Sequence, residues 1–317
     1  MGRKKRTGLP INGWLVVKKP AGPGSSTLTY HIRRLLKAQK AGHGGTLDPF
    51  AEGVLPIALG CATKTIPYLM DQTKTYRFRV RWGIETDTLD RTGKAIVTSK
   101  HRPDPAAIKA ELTRWCGPIM QTPPRFSAVK IAGKRAYKLA RAGVAFTPAP
   151  KPVTIHALRF EGDIDQFHSD FTMRCGSGTY VRALVRDLAR ALGSYGHLER
   201  LVRTQSGAFS LPDAISLAEI EKQAHKASAG KLLLPLKAAL DGIPAMILEE
   251  KQATRFCHGE AIPIAACHKL SHHDDYDHSS DGTIIVMKAG RMHPRPSAPI
   301  GIASLRGQFL HARRVFA

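Results

Sequence analysis

The sequence predicts an α+β protein in two parts, a large mixed sheet carrying helices and then a small C-terminal β-barrel. Three observations support this. Strand-like and helix-like stretches are interleaved without a regular βαβ rhythm or a repeat period, which disfavours Rossmann and solenoid layouts. At 317 residues the chain is long enough for one large core and a second small one, because cores usually split beyond about 250 residues. From about residue 245 the pattern changes to one short helical segment, Leu248–Cys257, and short strands at 283–287, 301–305 and 309–316, as a small barrel requires. The expected division is a basic tail over 1–10, a large domain over 11–244 and the barrel over 245–317.

The elements of the large domain follow in order. Trp14–Val17 is a short apolar run and reads as a strand. The Gly/Pro/Ser stretch from Pro20 to Ser26 breaks the chain, and Ser25 or Ser26 can cap the helix that follows. Leu28, Ile32, Leu35 and Leu36 recur at helical spacing, with Arg33, Arg34, Lys37 and Lys40 on the other sides. Lys74–Trp82 alternates strictly, Tyr76, Phe78, Val80 and Trp82 against Arg77, Arg79 and Arg81, which predicts a half-buried strand. Ile108, Leu112 and Trp115 form a helical stripe that Gly117 and Pro118 end. Phe167, Phe171, Met173 and Cys175 mark another strand, and Val181, Leu184, Val185, Leu188 and Leu192 a helix stopped by Gly193.

Charge narrows the partners. With 48 Lys+Arg against 25 Asp+Glu the formal charge is +23 and the pI is near 10.1. Such a surface seeks polyanions, and nucleic acid is favoured over a membrane surface. The basic residues at the N-terminus lead into Gly8, Leu9 and Pro10 rather than an apolar segment, and no apolar run approaches the ~18 residues a membrane span needs. Arg6 stands where a myristoylation motif wants Ser or Thr. Five scattered cysteines without a C-x-x-C pair suggest free thiols in a reducing cytosol. His268 to His278 carries four His and three Asp but no ordered ligand spacing, so a solvated hairpin loop is expected there rather than a metal tract.

The chemistry concentrates at His43-Gly44-Gly45-Thr46-Leu47-Asp48-Pro49. Two glycines permit unusual backbone angles and close approach of a ligand, and Pro49 keeps Asp48 out of helical geometry. A carboxylate is thereby held on a rigid loop, although an isolated Asp-Pro is more often an Asx turn. Tyr76, by spacing alone, is core packing. Arg182, by spacing alone, belongs to a solvated i, i+4 stripe with Arg186 and Arg190.

Context changes those readings. The run GHGGTLDPFAEGVLPIALGCATK, from Gly42 to Lys64, resembles the catalytic motif of the TruB family of tRNA pseudouridine synthases. Three further blocks resemble that family in the same order: KTYRFRVRWGIETDTLDRTG from Lys74, PPRFSAVKIAGKRAYKLAR from Pro123 and CGSGTYVRALVRDLARALG from Cys175. A weaker block, LVRTQSGAFSL from Leu201, ends the match, which spans about residues 11 to 210. The resemblance implies a mixed, mainly antiparallel catalytic sheet of the pseudouridine synthase type, with a PUA-like barrel behind it. It implies that Asp48 is the catalytic aspartate, Tyr76 the active-site tyrosine and Arg182 the arginine that pairs with the aspartate. His43, Tyr180 and Leu201 fall on substrate-contacting positions. Departures are mild: Gly176 and Ser177 stand where Ser-Lys is frequent, and Ala189 replaces a frequent glycine.

The implied reaction isomerises a T-loop uridine of tRNA, in the T-arm, without cofactor, metal or obligatory protein partner, in a cytoplasmic monomer. Reaching the buried atom requires flipping the nucleotide out, which costs a few kcal/mol. Lys18, Lys19, Lys64 and the Lys130–Arg141 segment are the candidate backbone contacts that repay it. Residues 123–150, rich in Lys, Arg, Gly and Pro, are expected to form a flap that orders over RNA. Two alternatives are an RNA-binding or RNA-folding protein without catalysis, and a synthase subunit dependent on a guide RNA. The presence of Asp48, Tyr76 and Arg182 together argues against the first.

Overall fold

The computed structural model describes residues 8–224, 229–269, 282–289 and 296–316. A ten-stranded mixed sheet forms the large domain. Its main path runs Ile215–Ser216, Gly13–Lys19, Glu52–Leu59, Gly196–Ser206, Lys74–Trp82, His168–Cys175, Lys151–Asp165 and Gly117–Gln121. Ala41–His43 pairs with Glu52–Leu59, and Phe209–Ser210 with Gly196–Ser206. Most neighbours are antiparallel; Gly13–Lys19 runs parallel to Ile215–Ser216, and Glu52–Leu59 parallel to Gly196–Ser206.

The two halves of this sheet are covered differently. Glu52–Leu59 and Gly13–Lys19 are apolar on both faces and buried on both. On one side Leu15, Val17, Leu55 and Ile57 meet Leu28 and Ile32 of the Ser25–Leu35 helix and Ile220. On the other, Trp14, Val16, Val54 and Ala58 meet Leu69, Phe209 and Ala239. The second half keeps the alternation expected for Lys74–Trp82. Phe78, Val80 and Trp82 pack with Phe171 and Met173 under Leu184, Val185 and Leu188 of the Val181–Ala191 helix, while Arg77 is exposed and Arg79 and Arg81 are half-buried on the opposite face. Phe78 and Phe171, opposite each other in register, stack with centroids 5.3 Å apart.

Most expected elements lie where the sequence puts them. The Pro105–Leu112 helix is extended by a 3-10 turn through Trp115, and Gly117–Pro118 opens an edge strand as well as ending that turn. One local expectation in this domain is corrected. The Ser25–Leu35 helix starts after Gly24 without a side-chain cap; Ser25 Oγ instead donates to Leu47 O and accepts from Leu47 N, both at 2.8 Å. A buried hydroxyl both donates and accepts, so it fastens a neighbouring loop here in place of the helix end.

The second domain is a nearly closed barrel of six strands, in the order Ile262–Pro263, Phe309–Val315, Pro296–Arg306, Thr283–Ala289, Ala245–Leu248 and His268–Lys269. Ala253 and Phe256 of the Glu250–Cys257 helix plug its core. Leu248, read from sequence as part of that helix, ends the Ala245–Leu248 strand instead. Of the His/Asp tract, residues 270–278 lie outside the described residues. Among the described residues no group of three or more His, Cys, Asp or Glu is placed to hold a metal ion, and no helix is long and apolar enough to cross a membrane. The domains touch through a shared apolar cluster in which Tyr68 and Leu236 pack against Ile247, Met287, Ile302 and Phe316.

Candidate active site

The loop bearing Asp48 crosses the seam between the two halves of the sheet and is held at many points. Gly44 N–H donates to Pro56 O at 2.8 Å, Gly22 N–H to Pro49 O at 2.8 Å, and Ala51 N–H to Asp48 O at 3.1 Å. A Cβ on Gly44 would sit 2.4 Å from Leu69 Cδ2, so the buried Leu69 side chain would have to move. Lys19 supplies the central anchor: its buried ammonium donates to Pro20 O, Pro49 O and Ala51 O at 2.9, 3.0 and 2.6 Å. Burial pushes its pKa down to about 8, with Asp48 and Glu52 opposing.

Asp48 meets Arg182 in a bidentate pair, Nε to Oδ2 at 2.8 Å and Nη2 to Oδ1 at 2.9 Å. The Arg182 side chain is 5% exposed and that of Asp48 30%, so the carboxylate has one side open to the pocket. A buried guanidinium is tolerated only when its donors are satisfied. Arg182 meets that condition by donating to Thr88 O at 2.9 Å and Phe126 O at 3.0 Å, with Asp90 Oδ2 3.7 Å away. Asp90 is itself fixed by Thr88 Oγ1, Thr92 N and Thr92 Oγ1 at 2.8, 3.0 and 2.6 Å. The fork geometry leaves the carboxylate little freedom to rotate.

These groups open on a pocket of about 460 Å³ whose walls include Asp48, Tyr76, Tyr180, Arg182, Leu201 and Arg203. The volume falls within the usual range for a small-ligand cleft. Gln121 braces Tyr180 through both backbone groups, accepting from its N–H at 2.8 Å and donating to its carbonyl at 3.1 Å. Burial raises the pKa of both tyrosines, so each phenol holds its proton; at Tyr76 the charge of Arg203 opposes that rise.

Of the residues singled out from sequence, Asp48, Tyr76, Tyr180, Arg182 and Leu201 converge on this pocket. His43 does not line it; its Nε2 lies 3.5 Å from Ser26 Oγ, and its pKa is lowered by burial and then by Arg203. Two lysines are corrected. Lys19 is spent on three backbone carbonyls and cannot reach a phosphate without vacating them. Lys64 donates from Nζ to Val315 O, across the boundary with the barrel, because its short 3-10 helix lies under that domain. Two basic pocket residues were missed. Arg203 is 1% exposed, and Lys74, also lining the pocket, has its pKa lowered to about 8 by burial and then by Arg203. Arg203 was legible in principle, two positions past Leu201 and so on the same face of a strand.

Comparisons with known proteins give the family. Residues 33–181 match the family described as "TruB family pseudouridylate synthase (N terminal domain)", and residues 182–241 match "tRNA pseudouridylate synthase B C-terminal domain". Fold and site thus define a pseudouridine synthase. A relative from Caulobacter vibrioides named tRNA pseudouridine synthase B is 48% identical over 83% of this chain and 85% of its own length. One of the same name from Rhodopseudomonas palustris is 43% identical over 99% of this chain and 83% of its own length. The chain belongs to the TruB family and is an enzyme that isomerises uridine in tRNA. The fold is shared with the chain solved in a Cbf5-Nop10-Gar1 complex, at a TM-score of 0.74 and 21% identity over 96% of this chain and 85% of that one. It is shared too with an archaeal box H/ACA Nop10-Cbf5 complex, at a TM-score of 0.73 and 20% identity over 100% of this chain and 93% of that one.

Proposed function

We propose that this chain isomerises the T-loop uridine of tRNA by flipping it into the pocket, where Asp48 is the catalytic carboxylate. The observation that carries the reading is the bidentate Asp48–Arg182 pair facing a pocket walled by Tyr76, Tyr180 and Leu201. The N1–C1′ bond breaks, the uracil turns, C5 bonds to C1′, the C5 proton leaves and N1 gains one. Atoms and electrons balance with no outside reagent. Arg182 holds the Asp48 carboxylate facing the pocket through two parallel hydrogen bonds. The carboxylate then serves as nucleophile or removes a ribose proton; deuterium at C2′ separates these, since a primary isotope effect marks proton removal. Tyr76 stacks on the extruded base and its phenol accepts or delivers a proton during the rearrangement, with Tyr180 and Leu201 closing the pocket.

The flap of residues 123–150 and the PUA-like barrel are proposed to hold the T-arm. Supporting this, Lys130, Lys134, Arg135, Lys138 and Arg141 are all exposed, and the flap's base touches the site through Phe126 O and Thr122 O, which accept from Arg182 and Arg186. The enzyme acts as a cytoplasmic monomer without a guide RNA or protein partner. The test is tritium release from 5-tritiated uridine in a T-arm stem-loop by the purified chain. Wild type should be active alone and Asp48→Asn silent while still binding the stem-loop. An active Asp48→Asn overturns the aspartate assignment. Activity that appears only with added guide RNA overturns the stand-alone reading, and pseudouridine outside the T-loop reassigns the substrate.

A further inference from the structure

Arg203 is the second guanidinium of the pocket and has a different setting from the first. It is 1% exposed, and the acceptors that hold it are backbone carbonyls rather than a carboxylate. Its Nε donates to Val54 O at 2.8 Å and its Nη2 to Gly45 O at 3.0 Å, which ties the middle of the sheet to the loop three residues before Asp48. It stands directly opposite Tyr76 in the antiparallel register, on the same face, so the two side chains meet as a cross-strand pair. Both side chains line the same pocket, and the charge of this guanidinium pulls the pKa of the buried phenol down against the rise that burial causes. The strand around Arg203 is itself pressed against its other neighbour, since a Cβ on Gly53 would lie 2.2 Å from Arg203 O. Its backbone therefore has no room to drift.

A guanidinium has five donors and no acceptor. Any hydrogen bond it makes to Tyr76 uses the phenol oxygen as acceptor, so the phenol's own proton must point elsewhere. With Arg203 as that donor, the proton is left to point into the pocket that both side chains line.

We propose that Arg203 is a positioning residue for the isomerisation: it occupies the acceptor side of the Tyr76 hydroxyl and so aims that O–H at the bound uracil. This rests on the reading of Tyr76 as a base-contacting residue. It gives the phenol a fixed polarity, donor to the base in the resting site, and it assigns a function to a buried cation that the Asp48–Arg182 pair does not use. Lysine at 203 keeps the charge but cannot hold Gly45 O, Val54 O and the phenol together in one plane.

The test is a double-mutant cycle in single-turnover pseudouridine formation on a T-arm stem-loop. Tyr76→Phe should slow the step by about a hundredfold, the lower range for proton-transfer groups. Arg203→Lys should slow it about tenfold or more, with stem-loop affinity changed less than about threefold. In the Tyr76→Phe background Arg203→Lys should add no further loss. Losses that simply multiply would overturn the inference, because a merely structural arginine acts regardless of the hydroxyl. If Tyr76→Phe costs nothing, the underlying reading of Tyr76 fails instead, and the two failures are distinct. Should Arg203→Lys not fold, a crystal structure of the unaltered chain decides: the guanidinium within about 3.2 Å of the phenol oxygen supports the proposal, and a phenol donating to a backbone carbonyl overturns it.

Discussion

The two halves of the large sheet differ in what covers them, and the candidate site lies along their seam. In the half built from Gly13–Lys19 and Glu52–Leu59, every residue but Lys18 and Glu52 is buried, and helices or loops cover both faces. In the half built from Lys74–Trp82, His168–Cys175 and Lys151–Asp165, one face packs on the Val181–Ala191 helix and the other shows arginines and threonines to solvent. The closed half is the fixed wall from which the Asp48 loop hangs. The half-open one brings Tyr76, and the helix over its packed face brings Arg182. Rigidity on one side and a strand-and-helix pair on the other let a carboxylate, a guanidinium and two phenols be placed together by elements far apart in sequence.

The severest way to break this arrangement is at the seam. Gly53 has φ +104, a region that favours glycine, and its missing Cβ leaves room for Arg203 O. Gly53→Ala should cost about 4 kcal/mol, combining backbone strain with a clash that neither strand can relieve. Urea unfolding would measure it. A loss below about 1 kcal/mol would mean that the parallel pairing is looser than its geometry implies.

Within the half-open region the packed face should respond like any core. Phe171 is buried between Phe78, Trp82 and Phe160. Phe171→Ala should cost about 3 kcal/mol through lost transfer energy and the cavity left behind. The same measurement checks it, with the midpoint falling and the slope unchanged.

How these regions read from sequence follows from the same contrast. Lys74–Trp82 was legible because one wet face imposes a strict period of two. Glu52–Leu59 was not called as a strand, because GVLPIAL is apolar on both faces and has no period to read. Lys151–Asp165 was missed for another reason. Register shifts at Ile155/Ala157, Phe160/Gly162 and Asp163/Asp165 are bulges that interrupt its alternation. At the site, Asp48, Tyr76 and Arg182 were found through motif resemblance, since their spacing alone favoured bland roles. Lys19 was misread as a phosphate contact because a lysine beside a proline gives no sign of whether its ammonium faces water or three carbonyls. Arg203 shares a strand face with Leu201, and that spacing was the one signal for it; its charge alone does not distinguish it from the other arginines of a basic chain.

Lys19 gives a sharper, smaller test of the closed half. Lys19→Met leaves three carbonyls without their donor and should cost about 2 kcal/mol. The pH dependence carries a sign. The folded pKa, about 8, is below the ordinary value of 10.5, so between those values the unfolded chain binds more protons than the folded one. This lysine's contribution therefore grows as pH rises through that window and is least favourable below pH 8. The stability gap between wild type and Lys19→Met should widen from pH 7.5 to pH 10. A gap that narrows would mean that the ammonium is better solvated than its three-carbonyl cage suggests.

The smallest effect is expected on the open face, and it tests whether that face is idle. Arg79 pairs with Asp170 through Nε–Oδ1 at 2.7 Å and Nη2–Oδ2 at 2.9 Å, but both side chains are about one-third exposed, 31% and 34%. Water and salt screen such a pair, so Arg79→Ala should cost under about 1 kcal/mol, and less again in 1 M salt, where the screening length falls to about 3 Å. Its side chain points away from the pocket that Tyr76 enters from the same strand, because successive residues face opposite sides. Single-turnover isomerisation of a stem-loop should therefore stay within about twofold of wild type, as for a surface change remote from the chemistry. A tenfold loss on full-length tRNA but not on the stem-loop would show that the body of the substrate reaches around to the open arginine face, and the two halves of the sheet would then divide chemistry from recognition.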